Sequence, residues 1–268
     1  FAPAHIMKLL EIVRGAETAS EVLATGFALA KRLRKVGVLS GVCDGFIGNR
    51  ILWAYRRQGD ILLEEGALPW QVDAAMRDFG FAMGPYETQD LSGLDIAWAQ
   101  RKSQAATRSA DERYVAIADT LCEAGRFGRK SGAGWYRYED GARAPQPDPA
   151  VERIVVEASA TKGIERRPID DLEITRRLFA AMVNEAAAIL EEGIARRPLD
   201  IDMVEIHGYG FPRHLGGPMH HADTVGLATV LGWAEEIAAA DPTKTRVAPL
   251  LARLAAGNGS FASLNEAR

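Results

Sequence analysis

Two polar residues lie among apolar neighbours, and they are the first candidates for chemistry. Glu11 ends the run HIMKLLE at residues 5–11 and is followed by Ile12 and Val13. A carboxylate in such a stretch is costly to bury unless a partner satisfies it. The alternative is an exposed residue on an alternating strand, and composition alone favours that alternative.

Asn49 is the second candidate, because it lies in the first turn of a predicted helix. The Asp44-Gly45 pair turns the chain into this helix, and Gly66 is a natural C-terminal cap for it. An asparagine near a helix start can simply satisfy free backbone N–H groups. The residue alone therefore favours a capping role, and a functional role depends on the wider pattern.

The pattern of the helix that carries Asn49 occurs twice in the sequence, at residues 46–66 and again at 173–193. At a constant offset, the apolar ladder Ile47, Ile51, Tyr55, Leu63 matches Ile174, Leu178, Met182, Leu190. Four-residue spacing places each ladder on one helix face. Arg176 stands in the second copy where the first has Asn49. This difference indicates that one copy does chemistry while the other supports it.

Helical patterns dominate the rest of the chain. We predict helices over about 18–35, 69–79, 85–101 and 111–124, with a strand or extended connector at 36–42. Glycines, aromatic residues and prolines over 125–149 favour a linker. Beyond it, the helix at 173–193, a helix ending near 207 and the Gly217-Pro218 pair repeat the plan of Gly84-Pro85 and its surroundings. The sequence predicts two related helical lobes.

Size and composition allow this arrangement and exclude several partners. A chain of 268 residues can form two modest domains, and 47% apolar with 25% charged residues is ordinary for a globular protein. A net charge of -4 gives no reason to expect nucleic acid, and no apolar run reaches the ~20 residues of a membrane helix. Cys43 and Cys122 form no disulfide framework, which favours a reducing compartment. An alanine- and arginine-rich composition favours a bacterial, cytoplasmic protein.

Nucleotide and metal motifs are weak. Gly208-x-Gly210 has Arg213 in place of a third glycine and follows a helix, so it predicts a tight turn. The histidines at 207, 214, 220 and 221 lack a ligand spacing typical of metal sites. We therefore predict no metal site.

Six segments together resemble a known family. They are PAHIMKLLEIVRG (3–15), VCDGFIGNRIL (42–52), LLEEGA (62–67), DFGFAMGPYETQDLSGLDIAW (78–98), GRKSGAGWYRY (128–138) and GYGFPRHLGGPM (208–219). They resemble the C-terminal region of L-3-hydroxyacyl-CoA dehydrogenases, above all the multifunctional β-oxidation type that also carries enoyl-CoA hydratase.

The resemblance implies a mainly α fold with two tandem lobes, similar to the C-terminal domain of 6-phosphogluconate dehydrogenase. Residues 1–17 would end a dinucleotide-binding domain that is otherwise missing. The first lobe would span 18–140, a linker 141–169, and a degenerate second lobe 170–268. Because the chain begins with Phe1, we expect a fragment or a processed piece.

The resemblance also gives the candidate residues their roles. Glu11 matches a glutamate that hydrogen-bonds the catalytic histidine, and Asn49 matches an asparagine that hydrogen-bonds the reacting substrate oxygen. The histidine itself would lie before Phe1, and His5 is a poor substitute for it. Ala2 occupies a position near the cofactor. His207 stands where some two-copy relatives carry a tyrosine near the substrate, so it is a weaker substrate-site candidate.

The resemblance therefore implies the substrate-binding and assembly region of an NAD-dependent 3-hydroxyacyl-CoA dehydrogenase. NAD would be bound mainly by the missing domain, hydratase and isomerase activities would lie upstream, and this piece alone would be inactive. The two lobes would form an internal pseudo-dimer in a monomeric protein. The alternatives are a non-catalytic assembly module and the helical half of another NAD-dependent hydroxyacid dehydrogenase.

Overall fold

The chain begins with a β-α-β unit in the computed structural model, which describes residues 3–139 and 144–266. Strand β1 (Leu9–Val13) and strand β2 (Val36–Ser40) pair in parallel, with helix α1 (Ser20–Arg32) between them. Parallel strands need such a crossover, since a tight turn can join only antiparallel neighbours. The strand predicted at 36–42 is confirmed, and Glu11 lies at the middle of the strand beside it.

Helices make up most of the remaining chain. They are α2 (Gly48–Glu65), α3 (Pro69–Phe79), α4 (Pro85–Ser92), α5 (Leu94–Gln104), α6 (Ile117–Glu123), α7 (Pro149–Thr161), α8 (Asp171–Glu191), α9 (Pro198–Val204), α10 (Pro218–Val225), α11 (Leu227–Ala240) and α12 (Pro249–Ala256). One π-helical turn, Glu205–Tyr209, follows α9 directly. The prediction of a mainly helical fold is confirmed.

Several boundaries differ from the predicted ones. The helix expected over 85–101 is divided at Gly93, whose φ of 93° ends α4. The helix expected over 111–124 begins only at Ile117. Helix α7 lies inside the segment expected to be a linker, where Pro149 occupies its first turn and Asp148 caps it through the N–H of Ala150.

The apolar ladder that revealed the repeat is buried in both α2 and α8. Its eight members expose between 0 and 9% of their surface: Ile47, Ile51, Tyr55, Leu63, Ile174, Leu178, Met182 and Leu190. In α8 the burial extends around the helix, because nearly every residue from Arg177 to Leu190 is buried. The prediction that both ladders lie on helices is confirmed.

The structure divides into two compact units, Phe1–Tyr55 with Arg177–Arg268 and Arg56–Arg176. The second unit is held by an aspartate clasp. Buried Asp73 accepts hydrogen bonds from the N–H groups of Tyr86 and Glu87 at the start of α4. Buried Asp90 accepts from the N–H groups of Trp135 and Tyr136. Two carboxylates thus satisfy four backbone donors that helix and loop ends leave free.

The first unit contains the same clasp. Asp202 accepts a hydrogen bond from the N–H of Met219 at the start of α10, and Asp223 accepts from those of Phe261 and Ala262. The clasp therefore occurs in both copies of the repeat. Within the first copy, Tyr136 also donates its hydroxyl to Asp73 at 2.6 Å. The two copies share their scaffold and differ in the side chains added to it.

No helix among residues 3–139 and 144–266 is long and apolar enough to cross a membrane.

Candidate functional site

Glu11 is anchored on the start of helix α2. Its Oε1 accepts hydrogen bonds from the backbone N–H groups of Ile47 at 3.0 Å and Gly48 at 3.3 Å. The turn before them has Gly45 at φ 82° and Phe46 at φ 51°. A phenylalanine with positive φ is uncommon, and such strained backbone occurs often at functional sites. The turn aims two free N–H groups at one carboxylate oxygen.

Burial raises the pKa of Glu11, while the two backbone hydrogen bonds oppose that rise. These bonds use Oε1 alone. The structure records no hydrogen bond to Oε2 from residues 3–139 or 144–266. The second oxygen is therefore available to accept a proton-bearing group such as an imidazole.

Asn49 follows Gly48 on α2 and is exposed. Its Oδ1 accepts a hydrogen bond from the hydroxyl of Tyr209 at 2.9 Å. The side-chain bond thus runs to a tyrosine of the second copy and not to a backbone N–H, so the capping alternative is not supported. The ring of Tyr209 covers Gly48, where an added Cβ would lie 2.1 Å from a ring carbon. Only glycine fits at that position.

A second buried carboxyl, Glu205, lies near Glu11. It is 1% exposed, and its Oε1 has no hydrogen-bond partner in the part of the chain that the structure describes. Burial raises the pKa of Glu205 well above its usual range, and the nearby charges of Glu11 and Asp202 raise it further. Since ionisation is disfavoured by all three causes, we expect Glu205 to be protonated at neutral pH.

Arg50 ties α2 to α8 on the same side of the unit. Its guanidinium lies 2.6 Å from Glu185 and 2.5 Å from Glu192. Part-buried arginine forks of this kind fix geometry better than a single ion pair does. The ion pairs of Arg50 and the hydrogen bond from Tyr209 together fix the start of α2 against the second copy.

His207, the weaker candidate, is half-buried in the π-helical turn, and its Nδ1 has no partner among the described residues. Burial, then the charges of Arg213 and Lys8, lower its pKa, which favours a neutral imidazole. No hydrogen bond joins it to Glu11 or Asn49 in the described ranges. Tyr209, two positions later, donates a hydrogen bond to Asn49 instead.

Two sequence candidates remain, His5 and Ala2. His5 is exposed, and Ala2 lies outside the described residues. Sequence reasoning missed Tyr209 because nothing in its spacing points to Asn49. It also missed Glu205, although a carboxylate between Val204 and Ile206 carries the same signal that singled out Glu11.

The site therefore combines three groups. Glu11 presents a fixed carboxylate with one open oxygen, Asn49 presents an exposed amide, and Tyr209 holds that amide. A carboxylate can orient a histidine and stabilise its charged form. An amide N–H can stabilise charge on a reacting oxygen.

Family models match most of the chain. The model described as 3-hydroxyacyl-CoA dehydrogenase, C-terminal domain, matches residues 45–138 and again 174–260. The model described as 3-hydroxyacyl-CoA dehydrogenase, NAD binding domain, matches residues 1–43. The expectation that the dinucleotide-binding domain is missing is therefore corrected, because its last part is present as β1, α1 and β2. The helix at 18–35 belongs to that part, which is why it lies between paired strands.

Relatives with similar sequences occur in animals, plants and bacteria. The peroxisomal bifunctional enzyme of Danio rerio is 44% identical over 270 residues, covering 96% of this chain and 38% of the relative. The fatty acid oxidation complex subunit alpha of Psychrobacter sp. is 35% identical over 240 residues, covering 89% of this chain and 33% of the relative. The chain thus spans about a third of the length of these relatives.

A solved structure agrees with these matches. The dehydrogenase part of multifunctional enzyme 1 from C. elegans has a TM-score of 0.71 and 29% sequence identity, covering 94% of this chain and 57% of that one. The fold is therefore shared with that protein over most of this chain. The chain belongs to the 3-hydroxyacyl-CoA dehydrogenase family, with the end of the NAD-binding domain followed by two C-terminal domain copies.

Proposed function

We propose that this chain is the substrate-binding and assembly region of an NAD-dependent L-3-hydroxyacyl-CoA dehydrogenase of fatty-acid β-oxidation. The reaction oxidises 3-hydroxyacyl-CoA to 3-oxoacyl-CoA. The observation that supports this best is the pairing of Glu11 with the start of α2, which places a fixed carboxylate beside Asn49. The family membership supports the same activity.

NAD would accept the hydride in the complete enzyme. The described residues do not form a phosphate cradle for it, because the turn between β1 and α1 lacks a glycine fingerprint and carries Glu17, and Glu21 lies in the first turn of α1. We therefore assign pyrophosphate binding to the rest of the NAD-binding domain.

Within this chain, Glu11 has one main task. Its open Oε2 accepts the N–H of the catalytic histidine, which the family resemblance places before Phe1. This bond fixes the tautomer of the imidazole, and the negative charge stabilises the imidazolium that forms when the substrate hydroxyl gives up its proton.

Asn49 acts on the substrate itself. Its amide N–H donates to the substrate oxygen, and this bond strengthens as negative charge shifts onto that oxygen. The exposed position of Asn49 suits such a contact. His207 would line the acyl site as a neutral, weaker contact.

The complete protein carrying Asn49→Ala tests this proposal, with acetoacetyl-CoA and NADH as substrates. We expect kcat/KM to fall by at least about tenfold, which corresponds to ~1.4 kcal/mol of transition-state stabilisation. Gln104→Ala, which removes an exposed amide at the end of α5, is the matched control. A value for Asn49→Ala within about twofold of the wild type would refute the role.

The wider setting follows from the relatives. Both named relatives are longer than this chain, and the names speak of a bifunctional enzyme and a fatty acid oxidation complex. We propose that enoyl-CoA hydratase and isomerase activities lie on the same protein. A bacterial, cytoplasmic origin is favoured by composition, while the name of the Danio rerio relative is peroxisomal.

The repeated clasp favours a second contribution, to assembly. Both copies keep the paired aspartates that hold α4 and α10. We propose that the two lobes, expected at 18–140 and 170–268 with the segment 141–169 between them, form an internal pseudo-dimer and make self-association unnecessary. The match of residues 1–43 to the NAD-binding domain supports a later start for the first lobe, near residue 45. Residues 140–143 of that segment lie outside the described ranges.

A further inference from the structure

We propose that Tyr209 is a positioning residue of the dehydrogenase site, which holds the Asn49 amide so that its N–H groups face the substrate. The inference rests on the proposed function. It assigns to the second C-terminal copy a direct part in the reaction geometry, beyond its part in assembly.

The contact between Tyr209 and Asn49 is direct. The phenol oxygen lies 2.9 Å from Oδ1 of Asn49. A phenol is a donor, and Oδ1 is the acceptor end of the amide, so the bond has one polarity. It is also a contact between residues 160 positions apart in the chain. Local sequence does not produce it.

This bond decides which end of the amide meets the substrate. An asparagine amide can turn by 180°, which exchanges its acceptor and its two donors. With Oδ1 occupied by the phenol, Nδ2 points away from Tyr209 with both N–H groups. An exposed asparagine without such a partner would sample both orientations and present the wrong end for part of the time. The substrate oxygen needs a donor there, so the phenol preorganises the site.

Tyr209 is itself held in place. The π-helical turn closes when the N–H of Phe211 donates to the carbonyl of Glu205 at 3.1 Å. Gly210 follows at φ 75°, a left-handed conformation that suits glycine. Phe211 is 1% exposed and anchors the end of the turn. π-Turns occur frequently at functional sites.

The close approach to α2 adds a second constraint. Gly48 is buried, and the ring of Tyr209 occupies the space that a Cβ would need. The hydroxyl therefore reaches Asn49 from a ring that packs on the preceding residue. Ring and hydroxyl have separable tasks, since the ring packs and the hydroxyl orients.

The second copy has the room for this turn because it is longer there. Asp73 and Gly84 are 11 positions apart in the first copy, whereas Asp202 and Gly217 are 15 apart in the second. The clasp residues are retained on both sides of the added segment, which contains Tyr209. The segment between Asp202 and Gly217 is thus longer in the second copy, while the aspartate clasp around it is the same in both copies.

Tyr209→Phe in the complete protein is the test, because it removes the hydroxyl and keeps the ring over Gly48. With acetoacetyl-CoA and NADH, we expect kcat to fall about five- to tenfold while KM stays within about twofold, as for loss of one hydrogen bond. Tyr114→Phe is the matched control, because that hydroxyl donates to Asp119 in the other unit. It should leave kcat and KM unchanged.

A double-mutant cycle shows whether Tyr209 acts through Asn49. In the Asn49→Ala background, Tyr209→Phe should change kcat by less than about 1.5-fold, since no amide is left to orient. If the two effects multiply, or if Tyr209→Phe alone has wild-type kcat, the inference is overturned. A loss in Asn49→Ala with no loss in Tyr209→Phe would refute this inference alone. No loss in Asn49→Ala would refute the proposed function as well.

A thermal melt of each variant guards against a merely structural effect. Because the ring remains, Tyr209→Phe should melt within about 2 °C of the wild type, less than the shift that ~1 kcal/mol produces. A larger drop with a multiplicative cycle would assign Tyr209 to stability, which also overturns the inference.

Discussion

Replacing Glu11 with glutamine should separate the structural task of this residue from its chemical one. The structure gives Oε1 to the N–H groups of Ile47 and Gly48. Glutamine keeps an oxygen at that position, so both bonds persist. What it loses is the negative charge and a second acceptor oxygen. We expect unfolding free energy within about 1 kcal/mol of the wild type and a kcat lower by about 10²–10⁴, the usual contribution of proton-transfer groups.

Glu11→Ala should lower both the unfolding free energy and kcat. Ile47 and Gly48 are buried, so their N–H groups would be left without an acceptor. Leaving buried donors unsatisfied costs about 1–3 kcal/mol. For a chain of this size each kcal/mol lowers Tm by about 2–4 °C. Alanine should therefore melt several degrees lower than glutamine does, at a similarly low activity.

The assay combines melting of this chain with steady-state rates of the complete protein. Glu17→Gln, which removes an exposed carboxylate after the same strand, should leave both properties unchanged. If glutamine destabilises as much as alanine, the charge and not the oxygen holds α2. If glutamine keeps wild-type kcat, Glu11 does not orient the histidine and the reasoning fails.

The pH profile gives an independent check on Glu11. Burial raises its pKa, so the folded protein binds the proton more tightly than the unfolded chain does. The ionised form is needed to stabilise an imidazolium, so kcat should fall as pH drops through that raised pKa. Because the folded-state pKa is raised, the free energy of unfolding falls as pH rises through that pKa. Glu11→Gln should remove this part of the dependence of unfolding free energy on pH.

Two further predictions concern Glu205 and assembly. The folded pKa of Glu205 is raised above its ordinary value of 4.5, so the stability that its protonated form supports is complete below that value and is lost as pH rises, by up to ~1.4 kcal/mol per pH unit. Glu205→Gln should therefore match the wild type near pH 4 and exceed it at pH 8 in denaturant unfolding, and parallel curves would contradict this. If the lobes form an internal pseudo-dimer, this chain should sediment as a monomer, and a tight dimer would refute that arrangement.

Local sequence signals predicted most helices because their limits are set by local chemistry. Pro69 begins α3 and Gly66 follows the end of α2, as the sequence predicts. The four-residue ladder marks residues that are buried in both α2 and α8, because side chains four positions apart lie on the same side of a helix. These features depend on neighbours within a few positions.

Other features depend on distant contacts and could not be predicted. Helix α7 is a separate case, because its start at Asp148 and Pro149 is a local signal that the prolines before it obscured. Glu11 has a backbone partner 36 positions away, and Asn49 has a partner 160 positions away. Family resemblance pointed to both residues, whereas the partner of Asn49 needed the structure.

At the π-helical turn Glu205–Tyr209, the number of residues in the turn decides in which direction the following side chains point. An α-helix advances by 3.6 residues per turn, so one residue more or less rotates everything after it by about 100°. The turn contains one residue more than an α-helical turn would, and Tyr209 at its end faces Asn49. Between two repeated copies, such an insertion can redirect a side chain that no single substitution could. In some family members the second domain would reach the substrate site, and in others it would not. The length of this segment in the second copy, more than the identity of its residues, would then distinguish the two groups.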